Sequence, residues 1–180
     1  MFLRENPYVV ILAMTAIVSS CVALTVWVRR EVTLSVRPFI GMMLAIAAYA
    51  TAAAASELSH SVKTLMFWTT LEYIASNSVI ALYLTFSLYF TGFKLWLIRR
   101  HRRLIWLVPL FNISLVMTNR LHGLVWTDFT IHPDNSHLNI IHHGAGYYWI
   151  AACFYIYVVT GSAFVTRSSL RASHLHRRQA

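Results

Sequence analysis

The sequence predicts an all-α membrane protein: a polytopic bundle of five transmembrane helices that forms a single integral membrane domain. Three observations predict this fold class. Hydrophobic residues make up 58% of the 180 residues, only six residues are Asp or Glu, and the mean hydropathy is positive. Five apolar stretches approach or exceed the roughly 20 helical residues that cross a hydrocarbon core of about 30 Å. The basic residues fall between these stretches. This composition excludes an ordinary soluble domain.

The five predicted helices lie at residues 8–28, 38–55, 64–90, 104–123 and 147–166. Residues 124–146 form the only sizeable connection, which is predicted to be a solvated loop because Pro133 to Ser136 has the composition of a turn.

The distribution of Lys and Arg predicts the orientation. Twelve of the 15 basic residues fall on one side of the predicted bundle: Arg29, Arg30, Arg37, Lys94, Arg99, Arg100, Arg102, Arg103, Arg167, Arg171, Arg177 and Arg178. Arg4, Lys63 and Arg120 fall on the other. Since cytoplasmic loops carry the excess of positive charge, the amino terminus is expected outside and the carboxyl terminus in the cytoplasm. The expected location is the bacterial cytoplasmic membrane.

The charge also indicates which partners to expect. The basic block from Lys94 to Arg103 is interpreted as an anchor for anionic lipid headgroups, because a helix must re-enter the membrane directly after it. The net charge of +9 therefore indicates the lipid bilayer as a partner and not nucleic acid.

The second helix carries a row of small residues that predicts a helix-packing interface. Gly41, Ala45, Ala48 and Ala52 recur at helical spacing. Small side chains let backbones approach closely, which is a main source of helix association in lipid. The contacting helix can belong to this chain, which is favoured, or to a partner subunit.

The third helix contains one acid deep in an apolar run. Glu72 lies about eight residues from the predicted outer end, roughly 12 Å along the axis. Trp68, Thr69, Ser76 and Tyr83 share its face and form a polar stripe. Such acids usually face the bundle interior, paired or protonated. Two roles fit: a hydrogen bond that locks two helices together, which is favoured, or binding of a proton or ligand.

The stretch from Thr118 to Trp126 places polar side chains where the fourth helix meets water. An ordinary helix stop explains Arg120, His122 and Gly123, because cations favour the carboxyl end of a helix and glycine accepts the left-handed cap. It does not explain Asn119, which is expected to meet Glu72. The predicted ligand-binding or polar contact residues are Glu72, Asn119, His122 and Trp126.

No metal, cofactor or catalytic activity is expected. Cys21 and Cys153 fall within predicted helices and are interpreted as packing residues. The outer loop carries Asp128, His132, Asp134, His137, His142 and His143, whose side chains are of metal-ligand types but lack a tight ligand motif. A tetrapyrrole would be possible only at the outer rim, near His60, His122, His142 and His143. The sequence has no phosphate loop or nucleophile elbow.

Residues over about two thirds of the chain resemble those of a known family. The features are Glu57-Leu58, Trp68, Tyr73, Tyr89 to Gly92, Pro109, Thr118-Asn119, His122, Leu124, Trp126, Gly146, Tyr148-Trp149, Tyr155 and Tyr157. In order and spacing they resemble the N-terminal seven-helix membrane region of bacterial sensor histidine kinases. The sequence departs from that pattern in two ways. It lacks a proline near Ser78, and it stops at Ala180, where the family continues into two more helices and a kinase. Kinase activity is therefore not expected.

Two functions follow as expectations. The favoured one is a non-catalytic accessory or scaffolding subunit of a larger membrane complex, with a photosynthetic or respiratory complex as possible host. It is favoured because a seven-helix bundle reduced to five would leave a helix-contact surface for other membrane subunits. The alternative is a ligand-sensing transmembrane module of a receptor that lacks its kinase, binding a small extracytoplasmic ligand.

Overall fold

The structure is a computed structural model that describes residues 7–29, 33–92, 95–131 and 139–177. Its elements in chain order are α1 (Pro7–Arg29), α2 (Val36–Glu57), α3 (Val62–Phe90), α4 (Leu95–Met117), α5 (Asn119–His122), β1 (Trp126–Ile131), β2 (Asn139–His143) and α6 (Ala145–Arg177).

The all-α membrane bundle predicted from the sequence is confirmed. Within the residues that the structure describes, four helices are long and apolar enough to cross a membrane: α1, α2, α3 and the Ala145–Leu170 part of α6. The helix predicted at 104–123 is the shorter apolar segment Arg103–Met117 of α4. The helix predicted at 147–166 extends from Ala145 to Arg177.

The connection at 124–146 contains a β-hairpin, which corrects the expected loop. Strands β1 and β2 pair antiparallel, with Trp126 opposite His143, Ile131 opposite Asn139 and a bulge between Trp126 and Asp128. Aromatic and β-branched residues favour strands, and Trp126 to Ile131 is rich in them. We call the end of the bundle that carries this hairpin the hairpin end.

Helix α3 is the centre of the bundle, because α2, α4 and α6 all pack against it while α1 packs on α2. Glycines permit two of these contacts. A Cβ on Gly41 would lie 3.3 Å from a methyl group of Leu82, and one on Gly161 would lie 2.6 Å from the ring of Tyr83. Next to Gly161, Ser162 Oγ is 2.9 Å from the Tyr83 hydroxyl. Helix α6 therefore lies directly on α3, and the Tyr83 hydroxyl of α3 finds its partner on α6.

The small residues of α2 pack against two neighbouring helices. Besides Gly41 against α3, Ala52 is buried, whereas Ala45 is half-buried and Ala48 is exposed. A second row that the sequence reasoning did not single out faces α1, where Ala50 and Ala53 form a buried cluster with Leu12.

Two buried asparagines join α3, α4 and α6. Asn112 donates through Nδ2 to Oδ1 of Asn77 at 3.0 Å, and its own Oδ1 accepts from Nε1 of Trp149 at 3.1 Å. Asn77 also donates to the Tyr73 carbonyl oxygen at 2.8 Å. Because both amides are almost fully buried and hydrogen-bonded, they lock three helices together. The stripe predicted around Glu72 also contacts other helices: the Tyr83 hydroxyl lies 2.9 Å from Ser162 Oγ of α6, and Glu72 lies within hydrogen-bonding reach of Ser56 of α2.

A proline creates a further link between α4 and α6. Pro109 lies inside α4 and is buried. It has no N–H to donate to the carbonyl oxygen of Ile105, four residues earlier. The Tyr157 hydroxyl on α6 donates to that oxygen at 2.8 Å. The backbone acceptor released by the proline is therefore satisfied by a neighbouring helix, as the interior of a membrane bundle requires.

The hairpin closes over an apolar cluster at its end of the bundle. Its buried members are Leu65, Val116, Val125, Trp126, Phe129 and Ile150, with Met66, Tyr73, Leu115 and Ile141 packed around them. Since these residues come from α3, α4, the hairpin and α6, the hairpin is part of the bundle core.

Candidate functional site

The polar stretch after α4 builds the chain reversal that leads into the hairpin. The side chain of Asn119 donates to the Trp126 carbonyl oxygen at 2.8 Å and accepts from the backbone N–H of Val125 at 2.7 Å. His122 accepts at Nδ1 from the Leu124 N–H at 3.0 Å, which leaves Nε2 to donate to Thr118 Oγ1 at 3.1 Å. These bonds hold the turn in which Gly123 has a φ of 61°.

The four site residues predicted from the sequence do not form one site in the structure. Asn119 is buried and its amide is bonded to the backbone of the β1 entry, so the structure brings it to the hairpin instead of to Glu72. His122 is exposed and holds the same turn. Trp126 is buried, with its ring 5.3 Å from that of Tyr73. Glu72 lines a cavity whose lining includes none of the other three.

That cavity, which we call the Glu72 cavity, has a volume of about 350 Å³ and lies between α3, α6 and the hairpin, with Tyr49 of α2 at its side. Its lining consists of Tyr49, Thr69, Glu72, Tyr73, Ser76, Ile141, His143, Tyr147, Ile150, Ala151, Phe154 and Tyr155. Thr69 and Ser76 share it with Glu72, as the predicted polar stripe requires. The volume is at the small end of the usual range for ligand sites.

Two buried oxygen atoms at this cavity have no hydrogen-bond partner. They are Oγ1 of Thr69 and Oε1 of Glu72, and Thr69 is only 1% exposed. Ser56 of α2 lies within hydrogen-bonding reach of the Glu72 carboxyl, and its hydroxyl also lies 3.2 Å from the Ala53 carbonyl oxygen. Glu72 lies ten residues after the start of α3 at Val62, roughly 15 Å along the helix. Buried polar atoms are almost always paired, so two unpaired ones on side chains that line one cavity indicate hydrogen bonds that a ligand reaching them would supply.

Aromatic rings form most of the remaining wall. His143, the last residue of β2, stacks on Tyr147 at the start of α6 with centroids 3.8 Å apart. Burial, with a smaller contribution from nearby His142, lowers the pKa of the His143 imidazole below its ordinary value of 6.5. This shift favours the neutral form of the His143 ring at pH 7.

Sequence reasoning identified the polar members of the site and missed the aromatic ones. Tyr49, His143, Tyr147 and Tyr155 come from three separate elements, and only the fold brings them together with Glu72. The sequence signal that could have revealed the hairpin is the run of aromatic and β-branched residues from Trp126 to Ile131, which favours a strand.

The structure groups no three His, Cys, Asp or Glu side chains that could hold a metal ion within the residues it describes. Of the loop residues considered as metal ligands, His132, Asp134 and His137 lie outside the described residues. The side chains of Lys94 to Arg102 and of Arg171 to Arg178 also lie outside the described part of the structure. The lipid-anchoring role of these basic residues therefore stays a prediction.

The long apolar helices and the polar cavity among them define a multi-pass helical membrane protein. A family model described as the N-terminal 7TM region of histidine kinase matches residues 11–180. The chain belongs to that family, and the resemblance seen in the sequence is confirmed. No curated protein and no solved structure significantly matches the chain.

The family assignment changes the balance between the two expected functions. It agrees with a membrane sensory module and gives no support to the favoured accessory-subunit function.

Proposed function

We propose that this chain is a ligand-sensing transmembrane module of histidine-kinase signalling and that its ligand binds in the Glu72 cavity. The observation that supports this proposal most directly is the pair of buried oxygen atoms without hydrogen-bond partners on Thr69 and Glu72, two residues that line the cavity.

An unpaired polar atom in a membrane interior is costly, since no water is at hand to bond it. Leaving a buried donor or acceptor unsatisfied costs about 1–3 kcal/mol. Thr69 and Glu72 are three residues apart and lie on one face of α3. A ligand that bonds both atoms would gain affinity from groups that the empty protein leaves unpaired.

The position of the cavity supports a sensing role. One wall belongs to α3, the centre of the bundle, and another to the first three turns of α6. Helix α6 then continues to the opposite end of the bundle at Arg177. A ligand that binds more tightly to one arrangement of α6 against α3 shifts the population toward that arrangement and carries the signal across the bundle.

The remaining parts of the proposal follow from charge and chemistry. We place the hairpin end outside the bacterial cytoplasmic membrane, because the basic residues are concentrated toward the other end. The partners would be the lipid bilayer and a kinase that receives the signal. The module would bind without catalysis: the Ser76 hydroxyl in the cavity donates to the Tyr73 carbonyl oxygen at 3.1 Å, which does not prepare it as a nucleophile.

The test uses two adjacent threonines. Thr69 lines the cavity with an unpartnered hydroxyl, whereas Thr70 donates its hydroxyl to the Met66 carbonyl oxygen at 2.7 Å and is not part of the lining. Thr69→Val and the matched control Thr70→Val each replace a hydroxyl by a methyl group. Wild type and both variants would be expressed in bacteria, purified in lipid nanodiscs and extracted, and the small molecules that co-purify would be quantified by mass spectrometry.

We expect at least one small molecule to be retained by wild type and by Thr70→Val and to be depleted in Thr69→Val. Identical small-molecule contents in all three preparations would count against a ligand in the Glu72 cavity. Unfolding temperatures of the three proteins would show that each is folded.

A further inference from the structure

We propose that the Glu72 cavity selects a small organic ammonium ion that carries at least one N–H, with an aromatic or aliphatic tail. This inference rests on the proposed function and names the chemical class of its ligand.

The first argument is charge. Glu72 contributes a carboxylate whose Oε1 is buried and without a partner, while the other hydrogen bond to the group comes from the neutral Ser56 hydroxyl. No Lys or Arg is among the described residues that line the cavity. An ionised carboxylate in such a place needs a cation. The protein does not supply one there, so without a ligand the carboxyl is expected to hold a proton, and an ionised Glu72 takes its cation from the ligand.

The second argument is the aromatic wall. Tyr49, Tyr73, Tyr147, Phe154 and Tyr155 all line the same space as the carboxylate. The faces of aromatic rings attract ammonium groups, and their apolar area suits a hydrocarbon tail. A carboxylate surrounded by aromatic rings is therefore better suited to an organic cation than to an inorganic ion, which needs several oxygen ligands.

The third argument distinguishes among ammonium ions. Thr69 Oγ1 is a second unpartnered oxygen, one helical turn from Glu72. A primary or secondary ammonium has N–H groups that can be donated to both oxygens, whereas a quaternary ammonium has none. The pair of unpaired acceptors thus favours an ammonium that donates hydrogen bonds.

The rim of the cavity does not oppose a cation at neutral pH. His143 is stacked on Tyr147 there, and the direction of its pKa shift favours the neutral ring. The same ammonium chemistry is available from two sources, a free amine outside the cell or the ethanolamine headgroup of a membrane lipid.

The test compares phenethylammonium with 2-phenylethanol, which has a similar shape but a neutral hydroxyl in place of the ammonium group. Binding to the full chain in phosphatidylglycerol nanodiscs would be measured at pH 7 by calorimetry. We expect phenethylammonium to bind wild type at least about tenfold more tightly than 2-phenylethanol, because it makes charge-assisted hydrogen bonds. Glu72→Gln should remove this preference while leaving the affinity for 2-phenylethanol within about twofold, which also shows that the variant is folded.

A second arm uses Thr69→Val, with Thr70→Val as control. Thr69→Val should weaken phenethylammonium binding several-fold, and Thr70→Val should not. Repeating the wild-type titration in nanodiscs that contain phosphatidylethanolamine identifies the source. Competition by this lipid indicates a headgroup ligand, and unchanged affinity indicates a free amine, with ammonium selectivity supported in both cases.

Equal affinities of wild type for the two probes, or failure of both to bind, would overturn the ammonium inference. So would a preference for ammonium that persists in Glu72→Gln. None of these results affects the co-purification test, so the ligand class can fail while the sensing function stands.

Discussion

The hydrogen bond between Tyr157 and the carbonyl oxygen of Ile105 permits a quantitative test of how this bundle tolerates a proline. Tyr157→Phe removes the hydroxyl that donates to that oxygen at 2.8 Å and keeps the ring. The partly buried carbonyl oxygen loses this hydrogen bond, and Pro109 has no N–H to replace it. We expect a loss of about 1–3 kcal/mol in the free energy of unfolding.

The same substitution should cost less when the proline is absent. In Pro109→Ala the new backbone N–H lies four residues after Ile105 and can donate to the same oxygen, as in an ordinary helix turn. Tyr157→Phe in that background should cost under about 1 kcal/mol, so the double-mutant cycle should show a coupling of about 1–2 kcal/mol.

The assay is reversible unfolding in mixed micelles with increasing denaturing detergent, followed by tryptophan fluorescence. Tyr148→Phe is the matched control, since Tyr148 is on the same helix but 68% exposed, and it should be nearly neutral. Equal costs of Tyr157→Phe with and without Pro109 would refute the view that the tyrosine replaces the bond removed by the proline.

Three further predictions concern the hairpin end and the buried amides. Gly144→Ala should destabilise the protein and expose the hairpin to limited proteolysis, because a Cβ there would lie 2.3 Å from the Leu124 carbonyl oxygen. Binding of phenethylammonium should weaken as the pH falls below 6.5, since protonation of His143 places a positive charge, beside His142, at the cavity rim. Calorimetry on His143→Gln should no longer show this loss of affinity at acid pH. A loss that persists in the variant would be assigned to another group. Asn112→Leu should cost about 1–3 kcal/mol in the detergent unfolding assay, because buried Asn77 and partly exposed Trp149 each lose a hydrogen bond. A neutral result would show that the amide network does not hold the helices together.

The sequence predicts the helices well because the signal for them is strong. Long apolar runs with few charges identify α1, α2, α3 and α6, and membrane insertion forces their backbones to form helices. The ends are less certain, since α6 extends into a polar, basic segment where hydropathy no longer distinguishes helix from loop. The fourth span was overestimated because residues 118–123, which look like its continuation, form a separate turn held by Asn119 and His122.

The candidate site was only partly predictable. Glu72, Thr69 and Ser76 follow from helical spacing on one element, so sequence alone groups them correctly. Asn77 and Asn112 are far apart in sequence, and their pairing depends on how α3 and α4 pack. Whether an amide in an apolar run bonds to a turn, as Asn119 does, or to another helix cannot be decided from periodicity.

The length of α6 has a mechanical consequence. Its 33 residues extend roughly 50 Å as one continuous helix, about 20 Å more than the hydrocarbon core requires. Its first turns line the cavity, and its last turns lie far from the cavity along the helix axis. A small change in helix angle at the cavity is therefore amplified at the other end of the helix. A tilt of about 5° at the cavity would displace the far tip by about 4 Å over this length. Small adjustments around one amine could thereby become movements large enough for a neighbouring protein to detect.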